Sequence, residues 1–109
     1  MSNTGRPAAR VGDSVFTGHG CDTTTKIVSG LDTGRVLIEG EPAAVVGMEM
    51  EPHTINNPAP PFLCISHIGP IVNAGSATVL VGGKPLARQG DSADLGAITG
   101  GASKVLAGP

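Results

Sequence analysis

The stretch that decides the fold is Gly34-Arg-Val-Leu-Ile-Glu-Gly-Glu-Pro-Ala-Ala-Val-Val-Gly-Met48. At a constant offset it recurs as Ala77-Thr-Val-Leu-Val-Gly-Gly-Lys-Pro-Leu-Ala-Arg-Gln-Gly-Asp91. Parts of the same pattern stand near both ends of the chain, as Pro7-Ala-Ala-Arg-Val-Gly-Asp13 and Gly101-Ala-Ser-Lys-Val-Leu-Ala-Gly108. A repeat in three registers indicates that one small unit is used more than once around a shared core.

The composition favours one compact domain of short strands and tight turns. Glycine (17) and proline (9) make up about a quarter of the 109 residues, yet 39% of residues are apolar and only 15% are charged, which is the wrong balance for a disordered chain. Short apolar runs bounded by glycine, such as residues 36–38, are typical of strands. Since no helical spacing of apolar residues persists over three turns, the predicted fold is all-β.

Charge and hydropathy argue against several partners. The net charge is −2 and no basic cluster is present, which argues against nucleic acid. No apolar run approaches the ~18 residues that a spanning helix requires. The first residues lack the pattern of a signal peptide, so the two cysteines are expected to be thiols or metal ligands rather than a disulfide.

Two stretches are predicted to be loops. Residues 14–29 are rich in glycine and threonine, with one short strand at 26–28. Residues 49–61 hold four prolines between positions 52 and 61, a density that excludes a helix or a central strand. A long ordered loop of this kind is usually functional.

The histidines and cysteines are the candidate metal ligands. His19 and His67 stand at matching places ahead of two copies of the repeat, and His53 lies in the proline-rich loop. Cys64 lies three positions before His67, and Cys21 two after His19. Three imidazoles and a thiolate form a closed tetrahedral Zn²⁺ set. Such a site would stabilise a core with only 2% aromatic residues. The alternative is surface histidines and buried, inert cysteines.

The repeated segments resemble the PAAR-repeat family over residues 7–108. The resemblance rests on Pro7-Ala-Ala-Arg10, Gly-Lys-Pro-Leu-Ala-Arg88 and Gly-Ser-Ala-Thr-Val-Leu-Val-Gly-Gly83. It implies a small conical all-β domain with pseudo-threefold internal repeats, spanning residues 1–109 with a flexible N-terminus at 1–6. The second copy departs from the family pattern, with Val45 and Met48 where Arg and Asp are usual.

The resemblance also implies zinc near the point of the cone, held by three histidines and one cysteine. The implied histidines are His19, His53 and His67. The Cys-Gly that the family often has after its last Gly-Asp is Leu95-Gly96 here, which leaves Cys64 or Cys21 as the fourth ligand. Cys64 is favoured, because it and His67 are expected to flank one turn.

The function implied by the resemblance is structural rather than enzymatic. Such proteins cap and sharpen the trimeric, VgrG-like β-helix spike of contractile injection systems, which include type VI secretion systems and phage tails, with one tip per trimer. The expected setting is assembly on the spike in a bacterial cytoplasm followed by delivery into a target cell, or a place in an injection particle. Transient contact with the target membrane and effector proteins as further partners are also expected. The residues expected to form core and base against the spike are Val36, Leu37, Ile38, Val79, Leu80, Val81, Val105 and Leu106.

Two other functions stay open from the residues alone. One is a hydrolase, in which Cys64 pairs with a histidine as nucleophile and base, or the three histidines hold a catalytic zinc with Glu49 or Glu51 as general base. The other is a free-standing metal-binding adaptor. A solvated acidic face is the simpler explanation of the two glutamates.

Overall fold

The computed structural model describes residues 5–28, 36–57, 59–61 and 63–108, and in these residues the protein is all-β, as predicted. No helix in the described part is long and apolar enough to cross a membrane. The strands are two to four residues long. Their bounds are β1 Arg6–Pro7, β2 Ser14–Phe16, β3 Thr24–Lys26, β4 Leu37–Ile38, β5 Glu41–Pro42, β6 His53–Asn56, β7 Cys64–His67, β8 Leu80–Val81, β9 Lys84–Pro85, β10 Ser92–Ala93, β11 Gly96–Ile98 and β12 Leu106–Ala107.

The strands form one four-stranded sheet, in the order β10-β11-β2-β3, and four two-stranded ladders. Three of the ladders, β4–β5, β8–β9 and β1–β12, set a leucine opposite a proline. The pairs are Leu37 with Pro42, Leu80 with Pro85 and Leu106 with Pro7. Two of these ladders are closed by two-residue turns with positive φ at both positions, Glu39-Gly40 and Gly82-Gly83, the form that suits the right-handed strand twist.

Directly after each of these prolines comes a segment of three residues, and the three segments close into a ring. We call residues 8–10, 43–45 and 86–88 the ring segments. The amide of Ala9 donates to the carbonyl of Ala87 (2.9 Å), that of Ala87 to Ala44 (2.9 Å), and that of Ala44 to Ala9 (3.0 Å). All three central alanines are fully buried where the three backbones converge. The methyl group of alanine suits this confined space. The closed ring relates the three copies, and a pseudo-threefold axis through it stays a prediction.

Each ring segment leads into a tight turn with a glycine at positive φ, namely Gly12, Gly47 and Gly90. The N–H groups of these glycines donate to equivalent carbonyls at Ile27, Val72 and Ile98. The φ values of 96°, 96° and 89° lie in the region that favours glycine. The third position of the turn therefore favours glycine in every copy.

The turns differ in how their first and last side chains interact. Arg10 pairs with Asp13 (2.9 Å) and Arg88 with Asp91 (3.0 Å). In the second copy the same places hold Val45 and Met48, which are both fully buried. The two departures noted in the sequence are therefore one coupled change, from an ion pair to two buried apolar side chains.

The eight residues expected to form core and base divide by exposure. Ile38 and Val81 are buried in the core, and Val79 packs against it. The three ladder leucines are exposed to nearly the same degree, 58% for Leu37, 59% for Leu80 and 56% for Leu106. The two remaining residues, Val36 and Val105, are also exposed.

The structure corrects the prediction that residues 14–29 and 49–61 are mainly loops. β2 and β3 pair antiparallel within the first stretch, ahead of the predicted strand at 26–28. β6 lies within the second and, among the described strands, pairs only with β7. Its four residues fit between Pro52 and Pro58, so no proline interrupts the ladder, and it forms part of a two-stranded hairpin rather than a central strand. Of the N-terminus predicted to be flexible, residues 1–4 lie outside the described residues, and Arg6 lies in β1.

Candidate metal centre

Two of the predicted ligands lie opposite each other on one hairpin. In the β6–β7 ladder His53 is the register partner of His67. Opposite residues of an antiparallel pair project to the same face of the sheet with Cβ atoms about 5 Å apart. The hairpin therefore brings together two imidazoles that are 14 positions apart in the sequence.

His19 approaches the hairpin from the loop between β2 and β3. The loop is organised by Thr17, which is fully buried and whose hydroxyl donates to the carbonyl of Asp22 at 2.7 Å. Gly18 has φ +81°, and a Cβ there would collide with the backbone of Leu95. The glycine is thus required for the loop to pass close to the β10–β11 turn.

Asp94 is the fourth member of the cluster. It lies in the β10–β11 turn with φ 53°, a left-handed conformation that aspartate tolerates better than most residues. Its amide donates to the carbonyl of Ile71 (3.1 Å), and its carbonyl accepts from Nδ2 of Asn73 (3.1 Å). The next residue is held as well, because the amide of Leu95 donates to the carbonyl of Thr17. These contacts orient the carboxylate toward the histidines.

The donor atoms of the four residues converge within 4.8 Å of one another. His19 Nε2 lies 3.2 Å from His53 Nε2 and 3.2 Å from His67 Nδ1. Oδ2 of Asp94 lies 2.8 Å from His53 Nε2, 3.0 Å from His19 Nε2 and 3.7 Å from His67 Nδ1. The side chains of His19, His53 and Asp94 are almost fully buried, and His67 is the most accessible at 26%.

The geometry fits a metal ion. Nδ1 of His19 donates to the carbonyl of Gly20 (2.9 Å), and Nδ1 of His53 donates to the carbonyl of Glu51 (2.8 Å). Because a carbonyl can only accept, Nδ1 carries a proton in both rings, and in the neutral imidazoles each Nε2 presents a lone pair to the cluster. Lone pairs this close repel unless a cation lies between them.

The spacing agrees with tetrahedral coordination. With Zn–N distances near 2.0–2.1 Å, the ligand atoms of a tetrahedron are about 3.3–3.4 Å apart. The separations quoted above range from 2.8 to 3.7 Å and so bracket this value. The backbone carbonyls that fix the rings of His19 and His53 are the kind of outer-shell partner that orients metal-bound histidines. These four residues could therefore hold a metal ion.

The structure corrects the prediction that a cysteine is the fourth metal ligand. Cys64, favoured for that role, forms a disulfide with Cys21, with their Cα atoms 6.0 Å apart, so neither sulfur is a thiolate that could bind a metal. The expectation of free thiols is corrected by the same bond. Cys64 and His67 do not flank a turn but lie three residues apart in β7, and side chains an odd number of positions apart in a strand point to opposite faces.

Asp94 was missed from the sequence, although a signal for it was available. The family's Cys-Gly corresponds to Leu95-Gly96 in this chain, and Asp94 immediately precedes it. An acidic residue beside an expected ligand position is a candidate ligand, since carboxylate oxygen also binds zinc.

Beside the cluster, the 17–23 loop is attached to the hairpin by Asp22. Its carboxylate accepts from the amide (2.8 Å) and the hydroxyl (2.9 Å) of Thr54. These two bonds, the backbone one first, hold the pKa of the exposed Asp22 below its ordinary value. The bonds thus favour the charged carboxylate and fix the loop next to His53.

Comparison with known proteins bears on the third copy of the repeat and on the residues that flank it. Residues 64–108 match the family model of the PAAR motif. The chain carries a PAAR motif. The matched residues include β7 with His67, the Arg88–Asp91 turn, Asp94 and β12. A search of curated proteins found no significant match. The PAAR motif is that of a structural family of spike-tip proteins, which agrees with the family resemblance of the sequence.

Proposed function

We propose that this protein is the tip of a contractile injection spike, with an apex stabilised by zinc and a base that caps a trimeric, VgrG-like β-helix spike. The observation that carries the proposal is the PAAR motif match over residues 64–108. The fold supports it, because each of the three ladders next to the ring segments carries an exposed leucine. The role is mechanical rather than catalytic.

Zinc is the metal that this donor set favours. Imidazole nitrogen is of intermediate softness and suits zinc over magnesium or calcium, which prefer oxygen ligands throughout. Zinc would link the 17–23 loop, the β6–β7 hairpin and the β10–β11 turn at one point. In this fold the fully buried residues are small, with isoleucine and methionine the largest, so a metal cross-link would add rigidity that burial alone supplies weakly.

The donor set argues against the hydrolase alternative. Catalytic zinc sites keep one coordination position open for water, whereas structural sites are closed by four protein ligands. Here Asp94 provides a fourth donor atom within the cluster. Glu49 and Glu51, the candidate general bases, have exposed side chains, and the described residues enclose no pocket. No observation favours the adaptor alternative specifically.

The base would meet the spike through the three ladder leucines. Leu37, Leu80 and Leu106 occupy equivalent places, because each is the register partner of the proline that precedes a ring segment. Positions that a threefold rotation relates lie at the same height along its axis, so a threefold ring would give a base with three equivalent apolar contacts. A homotrimeric spike end offers three identical partners. Assembly on the spike in a bacterial cytoplasm or in an injection particle, contact with the target membrane, and carriage of effectors belong to this proposal.

Binding to a trimeric spike protein from the same genome tests the proposal. Native mass spectrometry of the mixture should give one chain of this protein per spike trimer. The triple variant Leu37→Asp/Leu80→Asp/Leu106→Asp should lose the complex, because charges at the base cannot be desolvated. The matched control is Leu63→Asp, which changes an equally exposed leucine (66%) on the hairpin loop and should leave binding intact. Absence of a complex with wild-type protein at micromolar concentration would refute the proposal.

A further inference from the structure

The 17–23 loop and the β6–β7 hairpin are joined at three successive levels. The candidate metal site joins His19 to the His53–His67 pair at one end of the hairpin. The hydrogen bonds of Asp22 with Thr54 join them next. The Cys21–Cys64 disulfide joins them at the other end, where Cys64 is the register partner of Asn56. The two strongest links therefore connect the same two pieces of chain.

The disulfide and the candidate metal site also close almost the same loop. Cys21 and Cys64 are 43 residues apart, and His19 and His67 are 48 residues apart. Closing a long loop costs conformational entropy, but once one link is closed, the second closes only the short rings from 19 to 21 and from 64 to 67. Whichever link forms first therefore lowers the entropy lost in forming the other.

The packing around Cys21 transmits this constraint to His19. One residue, Gly20, separates them, and a Cβ on Gly20 would collide with the side chain of Asn56. Asn56 Nδ2 lies 3.6 Å from the sulfur of Cys21. With the disulfide intact, the backbone that carries His19 is pressed against the hairpin. Without it, this end of the loop is held by the hydrogen bonds that the exposed carboxylate and the amide of Asp22 form with Thr54, and water competes with these.

We propose that the Cys21–Cys64 disulfide positions His19 and His67 for the metal, so that the redox state of the cysteines sets the metal affinity of the cluster. This inference rests on the metal centre of the proposed function. The two cysteines are positioning residues, because neither sulfur touches the metal. Preorganised ligands lose less entropy on binding, so the oxidised protein binds zinc more tightly than the reduced protein.

The coupling is reciprocal, as linkage requires. If the disulfide raises the metal affinity by some factor, bound metal raises the equilibrium constant for disulfide formation by the same factor. The protein disulfide forms by thiol–disulfide exchange between the two protein thiols and a small-molecule disulfide such as oxidised glutathione. One protein S–S bond forms, the S–S bond of the oxidant breaks, and the two protons and two electrons leave with two molecules of reduced glutathione.

Zinc affinity in three forms of the protein tests the proposal. Competition with a chromophoric chelator is measured on oxidised wild-type protein, on reduced wild-type protein and on the Cys21→Ser/Cys64→Ser variant, at a temperature where circular dichroism shows all three folded. The reduced protein and the serine variant should both bind on the order of tenfold more weakly than the oxidised protein. The Thr54→Val variant, which loses a hydrogen bond between the same loop and hairpin but keeps the disulfide, should change affinity less.

Equal affinity in all three forms would overturn the proposal. Tighter binding by reduced wild-type protein than by the serine variant would also overturn it, because a thiolate would then be a ligand. A second measurement follows oxidation by glutathione disulfide with and without zinc, through alkylation and mass spectrometry. Zinc should shift the equilibrium toward the protein disulfide, and protection of the thiols by zinc would contradict the proposal. Spike binding by the same samples is a separate result, whose failure refutes the tip function but not the coupling.

Discussion

Asp94 Oδ2 lies 2.8 Å from His53 Nε2, although 41 residues separate the two along the chain. The contact unites the β10–β11 turn with the β6–β7 hairpin, and it places a carboxylate where a thiolate was expected. A carboxylate keeps the negative charge of a cysteine ligand but cannot be oxidised, so the cluster and the disulfide can coexist.

Replacing Asp94 tests its role as a ligand. Asp94→Asn keeps the size but removes the charge, and should lower zinc affinity at least about tenfold, since changes even outside the ligand shell commonly cost that much. Asp94→Cys supplies a thiolate and should retain much of the affinity. Affinities come from chelator competition, with the exposed Glu49→Gln as control. Equal affinities in wild type and Asp94→Asn would exclude the carboxylate as a ligand.

The coupled change at Val45 and Met48 predicts that the Arg88–Asp91 pair is replaceable only as a pair. Asp91→Ala leaves the buried guanidinium of Arg88 without its carboxylate and should destabilise the protein by about 3–5 kcal/mol. The double variant Arg88→Val/Asp91→Met copies the second turn and should recover part of that loss. Urea unfolding measures both. A double variant as unstable as Asp91→Ala would contradict the equivalence of the turns.

Two glycines with similar φ separate backbone strain from close packing. Gly18 (+81°) abuts the backbone of Leu95, and Gly83 (+84°) faces open space. Gly83→Ala should cost only about 1–2 kcal/mol, the strain of a left-handed residue. Gly18→Ala should cost more and should weaken zinc binding, because it displaces the loop that carries His19. Similar unfolding midpoints for the two variants would show that the contact with Leu95 is unimportant.

Charges beside the ladder leucines predict apolar recognition of a homotrimeric spike. Equivalent ladder positions hold Glu41, Lys84 and Arg6. A homotrimer presents the same residue to all three, so any charge on it would face at least one like charge. Affinity for the spike should therefore depend weakly on salt, and Lys84→Gln should change it by less than about 1 kcal/mol. Leu80→Ala should cost more than about 1 kcal/mol. A steep loss of affinity with salt, measured by titration calorimetry, would contradict this.

The lowered pKa of Asp22 predicts a pH-dependent contribution to stability. Because the folded pKa is depressed, the carboxylate stabilises the protein above its unfolded pKa, ordinarily 3.8, and this stabilisation is lost as pH falls through the lower folded value. In metal-free protein, Asp22→Asn should unfold at lower urea concentration than wild type near neutral pH. The difference should vanish in strong acid. A gap that stays constant across this range would show that the charge of Asp22 has no role.

The sequence was sufficient for the all-β fold, for the PAAR motif and for three members of the cluster. Glycine-bounded β-branched runs predict short strands directly, and histidine is rare enough that His19, His53 and His67 stand out. Their convergence in one cluster agrees with the prediction that they act together.

What the sequence could not supply depends on backbone paths between distant segments. Asp94 is next to the expected ligand position in the sequence, but it becomes a candidate metal ligand because a left-handed turn aims its carboxylate at the histidines, and the sequence does not specify that turn. Likewise, β6 was hidden by prolines whose spacing leaves four residues free to pair. The disulfide depends on the placement of Cys21 beside that unpredicted hairpin.

The closed ring has a consequence for synthesis on the ribosome. Ala9 bonds to Ala87, and β1 pairs with β12, so these N-terminal segments await partners that are synthesised much later. The nascent chain cannot assemble its core while it is still being translated, since N-terminal parts emerge first and contacts between remote segments form slowly. Folding is therefore a single late event, and ribosome-bound intermediates should stay sensitive to protease until the third ring segment has emerged.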